Sequence, residues 1–224
     1  MAPFFCNFSN QGNEFMYMKH LLLIAFLALP LAYFGLISQS KGMEVAKTIK
    51  TEKPDNLPIA TLAGGCFWCL ESEFRALNGV VYTISGYTGG DTDNPTYRDI
   101  TTGKTGHAEV TDIYYDPEII SYRELLDYFF TKAHDPTQLN CQGVDCGTQY
   151  RSAIFYHDDE QKKIAEEAIK ATDEAKVWKK KIVTTLEPLS TFYPAEEYHQ
   201  QYYEKYEAEN GRPHIRVLLK NKNK

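Results

Sequence analysis

LPIATLAGGCFWCLE, residues 57–71, reads as a strand, a glycine turn and the opening of a helix. Leu57 to Ala63 is a short apolar run and Gly64-Gly65 breaks it. From Cys66 to about Leu77 the spacing turns helical, with Phe67, Leu70, Phe74 and Leu77 on one stripe. Cys66 therefore opens the helix, where unpaired amides and the helix dipole favour an anion. Those conditions lower a thiol pKa and predict a thiolate nucleophile. A buried structural cysteine behind a glycine turn is the competing reading. The adjacent aromatic rings and a second thiol, Cys69, one helical turn on favour a reactive sulfur.

Working outward, the chain after residue 57 predicts strand, helix, strand, strand, helix, strand, then helix, strand, helix. Val80 to Tyr87 and His107 to Tyr115 alternate, the second with Ala108, Val110, Asp112 and Tyr114 on one face. Ser121 with Glu124 forms a capping box for a helix through Leu125, Leu126 and Phe129. Tyr150 to His157 is the next strand. Asp158 and Asp159 start a long helix with the stripe Ile164, Ala168, Ala171, Ala175 and Trp178. Lys181 to Leu186 is a further strand and Ala195 to Glu209 a last helix. The opening elements follow the β-α-β-β-α-β order of a ferredoxin-like split unit. The expected class is α+β, that core being extended by a C-terminal helix-strand-helix and by two long loops, 88–106 and 134–149. Loops of that length usually carry function.

At 224 residues, with 43% hydrophobic and 13% aromatic residues, the chain suits one domain with a substantial core plus appendages. A net charge of −6 argues against a nucleic-acid partner, which needs a basic face. Leu21 to Ile37 is an apolar run of 17 residues behind Lys19 and His20, interrupted by Pro30. It falls between a signal-peptide core and a minimal membrane span. The polar stretch from Gly42 to Pro58 follows it. The expected organisation is an export or membrane-tethering region over 1–40, a linker over 41–56, a catalytic domain over 57–212 and a basic tail over 213–224. Met18 is an alternative start, and the expected location is exported, periplasmic or otherwise extracytoplasmic.

Both long loops deliver an acid and a tyrosine beside a strand end. The first holds Tyr97 and leads to Glu109; the second holds His134, Cys141, Asp145 and Cys146 and leads to Tyr150. A thiolate, a carboxyl kept protonated by partial burial, and phenol hydroxyls would suit reduction of a polar S=O or C=O group. Taken singly the signals are weak, since an acid in an alternating strand ordinarily faces solvent and tyrosines ordinarily pack. Gly103-Lys104-Thr105-Gly106 lacks Walker spacing and leads into a strand, so it is no phosphate loop. A zinc site from Cys66, Cys69, Cys141 and Cys146 competes, but the gap between the pairs is far longer than in compact zinc ribbons.

Together these motifs resemble the type A peptide methionine sulfoxide reductases (MsrA), from about Ile59 to Tyr203. The shared elements, in family order, are Gly65-Cys66-Phe67-Trp68 with Glu71; Gly86-Tyr87 with Gly89-Gly90; Asn94-Pro95-Thr96-Tyr97; Thr105-Gly106-His107-Ala108-Glu109; Gln149-Tyr150-Arg151-Ser152; and Ala195-Glu196 through His199-Gln200-Gln201-Tyr202. The resemblance implies reduction of the S epimer of methionine sulfoxide, free or in proteins, on a ferredoxin-like core. Cys66 would attack the sulfoxide sulfur, Glu109 protonate its oxygen, Tyr97 and Tyr150 hydrogen-bond that oxygen, and Asp145 support the site. Phe67 and Trp68 would form the methyl pocket. His199 matches a family position near the substrate, and Glu71 reads as a support for helix and site. Cys66 would become a sulfenic acid, then a disulfide reset by thioredoxin or a similar dithiol, in a monomer with no bound cofactor and no metal. No cysteine follows Cys146. The resolving thiol is therefore Cys69, Cys141 or Cys146; Cys69 is favoured, with Cys146 and Cys141 as a second relay pair. The alternatives are an extracytoplasmic thiol–disulfide oxidoreductase using Cys66 and Cys69, and a zinc-stabilised binding domain.

Overall fold

The computed structural model describes residues 52–215. The strands are β1 (Ile59–Gly64), β2 (Val80–Thr88), β3 (Ala108–Tyr115), β4 (Cys141–Gln142), β5 (Asp145–Cys146), β6 (Ser152–Tyr156), β7 (Thr185–Pro188) and β8 (Tyr193–Pro194). The helices are α1 (Phe67–Arg75), α2 (Tyr97–Thr101), α3 (Tyr122–Tyr128), α4 (Asp159–Glu174) and α5 (Tyr202–Asn210). The apolar run 21–37 and the tail beyond residue 215 lie outside the described residues. Among the described residues no helix is long and apolar enough to cross a membrane.

Six strands form one mixed sheet in the order β7-β6-β1-β3-β2-β8, and β4 pairs with β5 as a separate hairpin. The β6–β7 pair is parallel; the other pairs are antiparallel. In β3 every residue is buried, because both faces are covered. Ile113 and Tyr115 join Leu62, Leu70, Phe74, Leu125 and Phe129 beneath the helices, while Ala108 and Val110 pack with Ala63 and Phe155, flanked by Leu189 and Phe192. Alternation therefore reports which face a β3 residue takes, not whether it meets water. Burying Leu70 and Phe74 of α1 contributes about 2 kcal/mol for each side chain, which fixes that helix on the sheet.

Helix starts with local signals form where the sequence places them. Ser121 and Glu124 make the reciprocal capping box of α3, and the Asp158 side chain accepts the Gln161 amide to cap α4. A π-helical turn, Phe129–Ala133, continues α3 and brings the His134 ring back onto Phe129, 4.0 Å between ring centroids. Four expectations need correction. The buried stripe of α4 is Gln161, Ala165, Ala168 and Thr172, and Ala175 is its exposed C-cap. The strand expected at 181–186 pairs only over Thr185–Pro188, since Val183 instead donates its amide to the Pro136 carbonyl. The last helix begins at Tyr202, after a 3-10 turn at Glu197–His199. Loop 88–106 contains α2, capped by a second reciprocal box between Thr96 and Asp99.

Candidate active site

β1 ends against a turn that only glycine fits. Gly65 has φ +91°, and a Cβ there would lie 2.5 Å from Gln142 Cβ on β4. The next residue, Cys66, is the N-cap of α1 and is 8% exposed. The amide of Phe67, an orphan donor at the helix start, donates to Glu109 Oε2 at 3.0 Å. Glu109 is the second residue of β3 and is 1% exposed. The sheet thus holds a carboxyl at the mouth of the helix that carries the cysteine.

The expected thiolate is not the resting state of Cys66. Its thiol is pushed well up, first by a hydrogen bond with the Cys69 side chain, then by burial and the nearby charge of Glu109; the Cys69 amide pulls weakly the other way. A helix N-terminus favours an anion locally, but here the neighbouring Cys69 thiol, burial and the Glu109 charge outweigh it. Cys69 itself lies 3.0 Å from the Tyr203 hydroxyl.

Aromatic rings close around this corner. Phe67 sits with ring centroids 5.8 Å from Tyr87, 6.4 Å from Trp68 and Tyr97, and 5.0 Å from His199. Trp68 stacks on Tyr202 at 3.7 Å, and its Nε1–H donates to His199 Nδ1 at 2.9 Å. Nδ1 being the acceptor, the neutral His199 ring carries its proton on Nε2, 3.9 Å from Glu196 Oε2. Burial lowers the His199 pKa, opposed by the Glu196 charge. Glu196 also accepts the Tyr97 amide at 2.9 Å and the Tyr87 hydroxyl at 3.0 Å. Burial pushes Glu196 up, but these hydrogen bonds outweigh it and hold the carboxyl below its ordinary range.

Tyr97 and Tyr150 keep their hydroxyl protons. Tyr97 is pushed up to about 12 by burial, then by the charges of Glu109, Cys66 and Asp145 among others. Tyr150 is raised for the same reasons, burial first, with Glu109, Tyr97, Asp145 and Cys66 adding. Cys66, Glu109, Tyr97, Tyr150 and Asp145, drawn from distant parts of the chain, therefore share one electrostatic environment. It offers phenol donors, a carboxyl and a thiol beside an aromatic wall, which is the equipment for polarising and capturing an S=O group.

Cys141 and Cys146 face each other across the β4–β5 hairpin and are joined by a disulfide. The four-thiolate zinc set is therefore not assembled. Adjacent strand residues point to opposite faces, so Gln142 and Asp145 lie on the side of the hairpin away from the bridge. His134 has a structural setting: its ring nitrogens bond Phe129 O and Ser152 Oγ.

Sequence reasoning gave Glu71 a supporting place and gave Glu196 and Gln200 no role. Buried Glu71 accepts the Gln201 amide at 2.8 Å and the Thr83 hydroxyl at 3.0 Å. It thereby holds Gln201 in a left-handed conformation, φ +51°, at the start of α5. Gln200 Oε1 accepts the Ser85 amide, and its Nε2 donates to Ser85 O and Ala195 O. Two acids and two amides set among aromatic residues, Ala195 to Tyr203, were the available signal.

The family model described as peptide methionine sulfoxide reductase matches residues 58–224. The chain belongs to the peptide methionine sulfoxide reductase family. Membership makes it an oxidoreductase of the MsrA class. It is 56% identical over 146 residues to the MsrA of Natronomonas pharaonis, covering 65% of this chain and 82% of the relative. With the MsrA of Saccharolobus solfataricus it shares 50% identity over 163 residues, 73% of this chain and 89% of the relative. The crystal structure of Mxr1 from Saccharomyces cerevisiae in reduced form superposes with a TM-score of 0.65 at 41% identity, over 75% of this chain and 93% of that one.

Proposed function

We propose that this domain reduces the S epimer of methionine sulfoxide, free and in proteins, with Cys66 as nucleophile. The observation that carries the reading is the Phe67 amide–Glu109 contact, which places a buried acid at the turn holding the thiol. A sulfoxide is a poor electrophile until its oxygen is protonated or strongly hydrogen-bonded. Tyr97 and Tyr150 donate to that oxygen, Glu109 passes it a proton, and Phe67 with Trp68 takes the methyl group against its ring faces. The raised thiol supplies the proton that the step consumes. Cys66 Sγ bonds to the sulfoxide sulfur; the oxygen passes to Sγ as that S–S bond and the original S–O bond break, methionine leaves, and the thiol proton, relayed through Glu109, ends on the Cys66 sulfenic hydroxyl.

Cys69 then attacks the sulfenic sulfur, water leaves, and a thioredoxin-like dithiol reopens the Cys66–Cys69 bridge. Direct attack by Cys141 or Cys146 is less favoured, since they are bonded to each other on the outer side of the hairpin. The order β6-β1-β3-β2 supports a ferredoxin-like core. Residues 21–37 are read as an export signal or tether; cell fractionation with the mass of the mature N-terminus tests that. The enzymatic reading is tested with each epimer of methionine sulfoxide and dithiothreitol. Cys66→Ser abolishes turnover, and Glu109→Gln slows it about 10²–10⁴-fold, the usual scale for a lost general acid. Normal turnover by the Glu109 variant would remove that residue from its role. A dithiol-exchange enzyme would need neither Glu109 nor the tyrosines.

A further inference from the structure

Tyr203 is the second residue of α5, and its hydroxyl lies 3.0 Å from Cys69 Sγ. It is 6% exposed and its ring stacks on His214 with centroids 5.2 Å apart. Two bonds hold α5 on α1 and keep the phenol in place: the Gln201 amide to Glu71 at 2.8 Å and Arg75 Nε to Glu204 at 2.9 Å. A surface tyrosine brushing a thiol would have neither the burial nor the anchored backbone.

We propose that Tyr203 is a catalytic residue of the resolving step, its hydroxyl donating a hydrogen bond to the Cys69 sulfur as that sulfur ionises and attacks Cys66. The proposal rests on the reading in which Cys69 resolves the sulfenic acid. In the resting pair either atom can donate. Once Cys69 is a thiolate it can only accept, so the phenol becomes the donor and stabilises the attacking anion. The step balances within the protein. The Cys66–Cys69 S–S bond forms, the Cys66 S–O bond breaks, and the Cys69 thiol proton leaves with the hydroxide as water. The Cys69 sulfur is oxidised, the sulfenic sulfur reduced, and Tyr203 ends with the proton it began with. The titratable and charged groups on the elements meeting here are Glu71, Glu73 and Arg75 of α1 with Cys66 at its N-cap, Tyr202, Tyr203, Glu204, Lys205, Tyr206, Glu207 and Glu209 of α5, and His214 beyond it. Five of these are carboxyls and one is a second sulfur, so a neutral donor aimed at Cys69 matters for forming an anion there.

The test is one turnover of the full chain without reductant, comparing wild type with Tyr203→Phe. Methionine release, sulfenic acid captured by a 1,3-diketone, and the Cys66–Cys69 bridge identified by peptide mapping are followed across pH. Tyr203→Phe is expected to release methionine at the wild-type rate, accumulate sulfenic acid and form the bridge about ten- to a hundredfold more slowly, the scale of one hydrogen bond to a charged group. The pH midpoint of bridge formation is expected to move up. Bridge formation at the wild-type rate and midpoint overturns the proposal, as does an equal slowing of methionine release, which marks a merely structural role. A wild-type bridge from Cys66 to Cys141 or Cys146 overturns the underlying choice of Cys69 instead, and is recognised by its peptides.

Discussion

Replacing Glu71 with Gln tests the buried carboxyl that ties α1 to the C-terminal segment. In the folded protein Glu71 is pushed up from 4.5 to about 7, by burial first, against the Gln201 amide, the Thr83 hydroxyl and the Arg75 charge. The folded pKa lies above the unfolded one, so the folded state keeps a proton that the unfolded chain releases. The stabilisation is fully present below the unfolded value and is lost as pH rises through about 7. The gap between the two values is worth about 3 kcal/mol. Gln imitates the protonated acid: its oxygen accepts the Gln201 amide, and its NH₂ donates to a Thr83 hydroxyl free to rotate. Buried Asp112, pushed up to about 6 by burial, shifts stability in the same direction but is present in both proteins and cancels in the difference. Urea unfolding followed by tryptophan fluorescence from pH 4 to 8 gives the comparison. The stability of Glu71→Gln relative to wild type is expected to grow by about 3 kcal/mol across that range. Parallel curves would refute the argument and show that Glu71 titrates alike in the folded and the unfolded chain.

The aromatic wall and the hairpin give further tests. His199→Phe removes the acceptor of the Trp68 indole N–H; KM is expected to rise about tenfold while kcat stays within about threefold, the signature of lost binding rather than lost chemistry. Steady-state kinetics on a methionine sulfoxide peptide checks it. Replacing Cys141 and Cys146 together with Ser opens a small loop and is expected to cost about 2 kcal/mol in urea unfolding. The same protein still forms the Cys66–Cys69 bridge after one turnover, and its absence from the peptide map would move resolution to the hairpin.

What could be read in the sequence was local. The turn at Gly64-Gly65, the capping box of Ser121 and Glu124 and the cap at Asp158 each depend on residues a few positions apart, and each forms as expected. The Thr96–Asp99 box is equally local; it was hidden by Gly- and Pro-rich surroundings that read as continuous loop. The burial of Glu109 could not be read, because alternation in β3 does not say that elements from both ends of the chain cover both faces. Nor could the protonation of Cys66. A helix start favours an anion, and the Cys69 hydrogen bond, the burial and Glu109, 43 positions on, are set against it only in the folded chain. Glu196 is the extreme case, since its partners Tyr87 and Tyr97 lie about a hundred residues away. The resemblance supplied residue identities for the site; the fold supplied the reasons they act together.

The closed turn around Cys66 bears on how such a catalyst survives where its substrate is made. Hydrogen peroxide and related oxidants attack cysteine chiefly as the thiolate, and reach most readily those sulfurs that water can reach. A thiol held neutral and 8% exposed is a poor target on both grounds. The protein can thus sit amid the chemistry that damages methionine with its own sulfur spared, spending that sulfur only when a damaged side chain fills the cup.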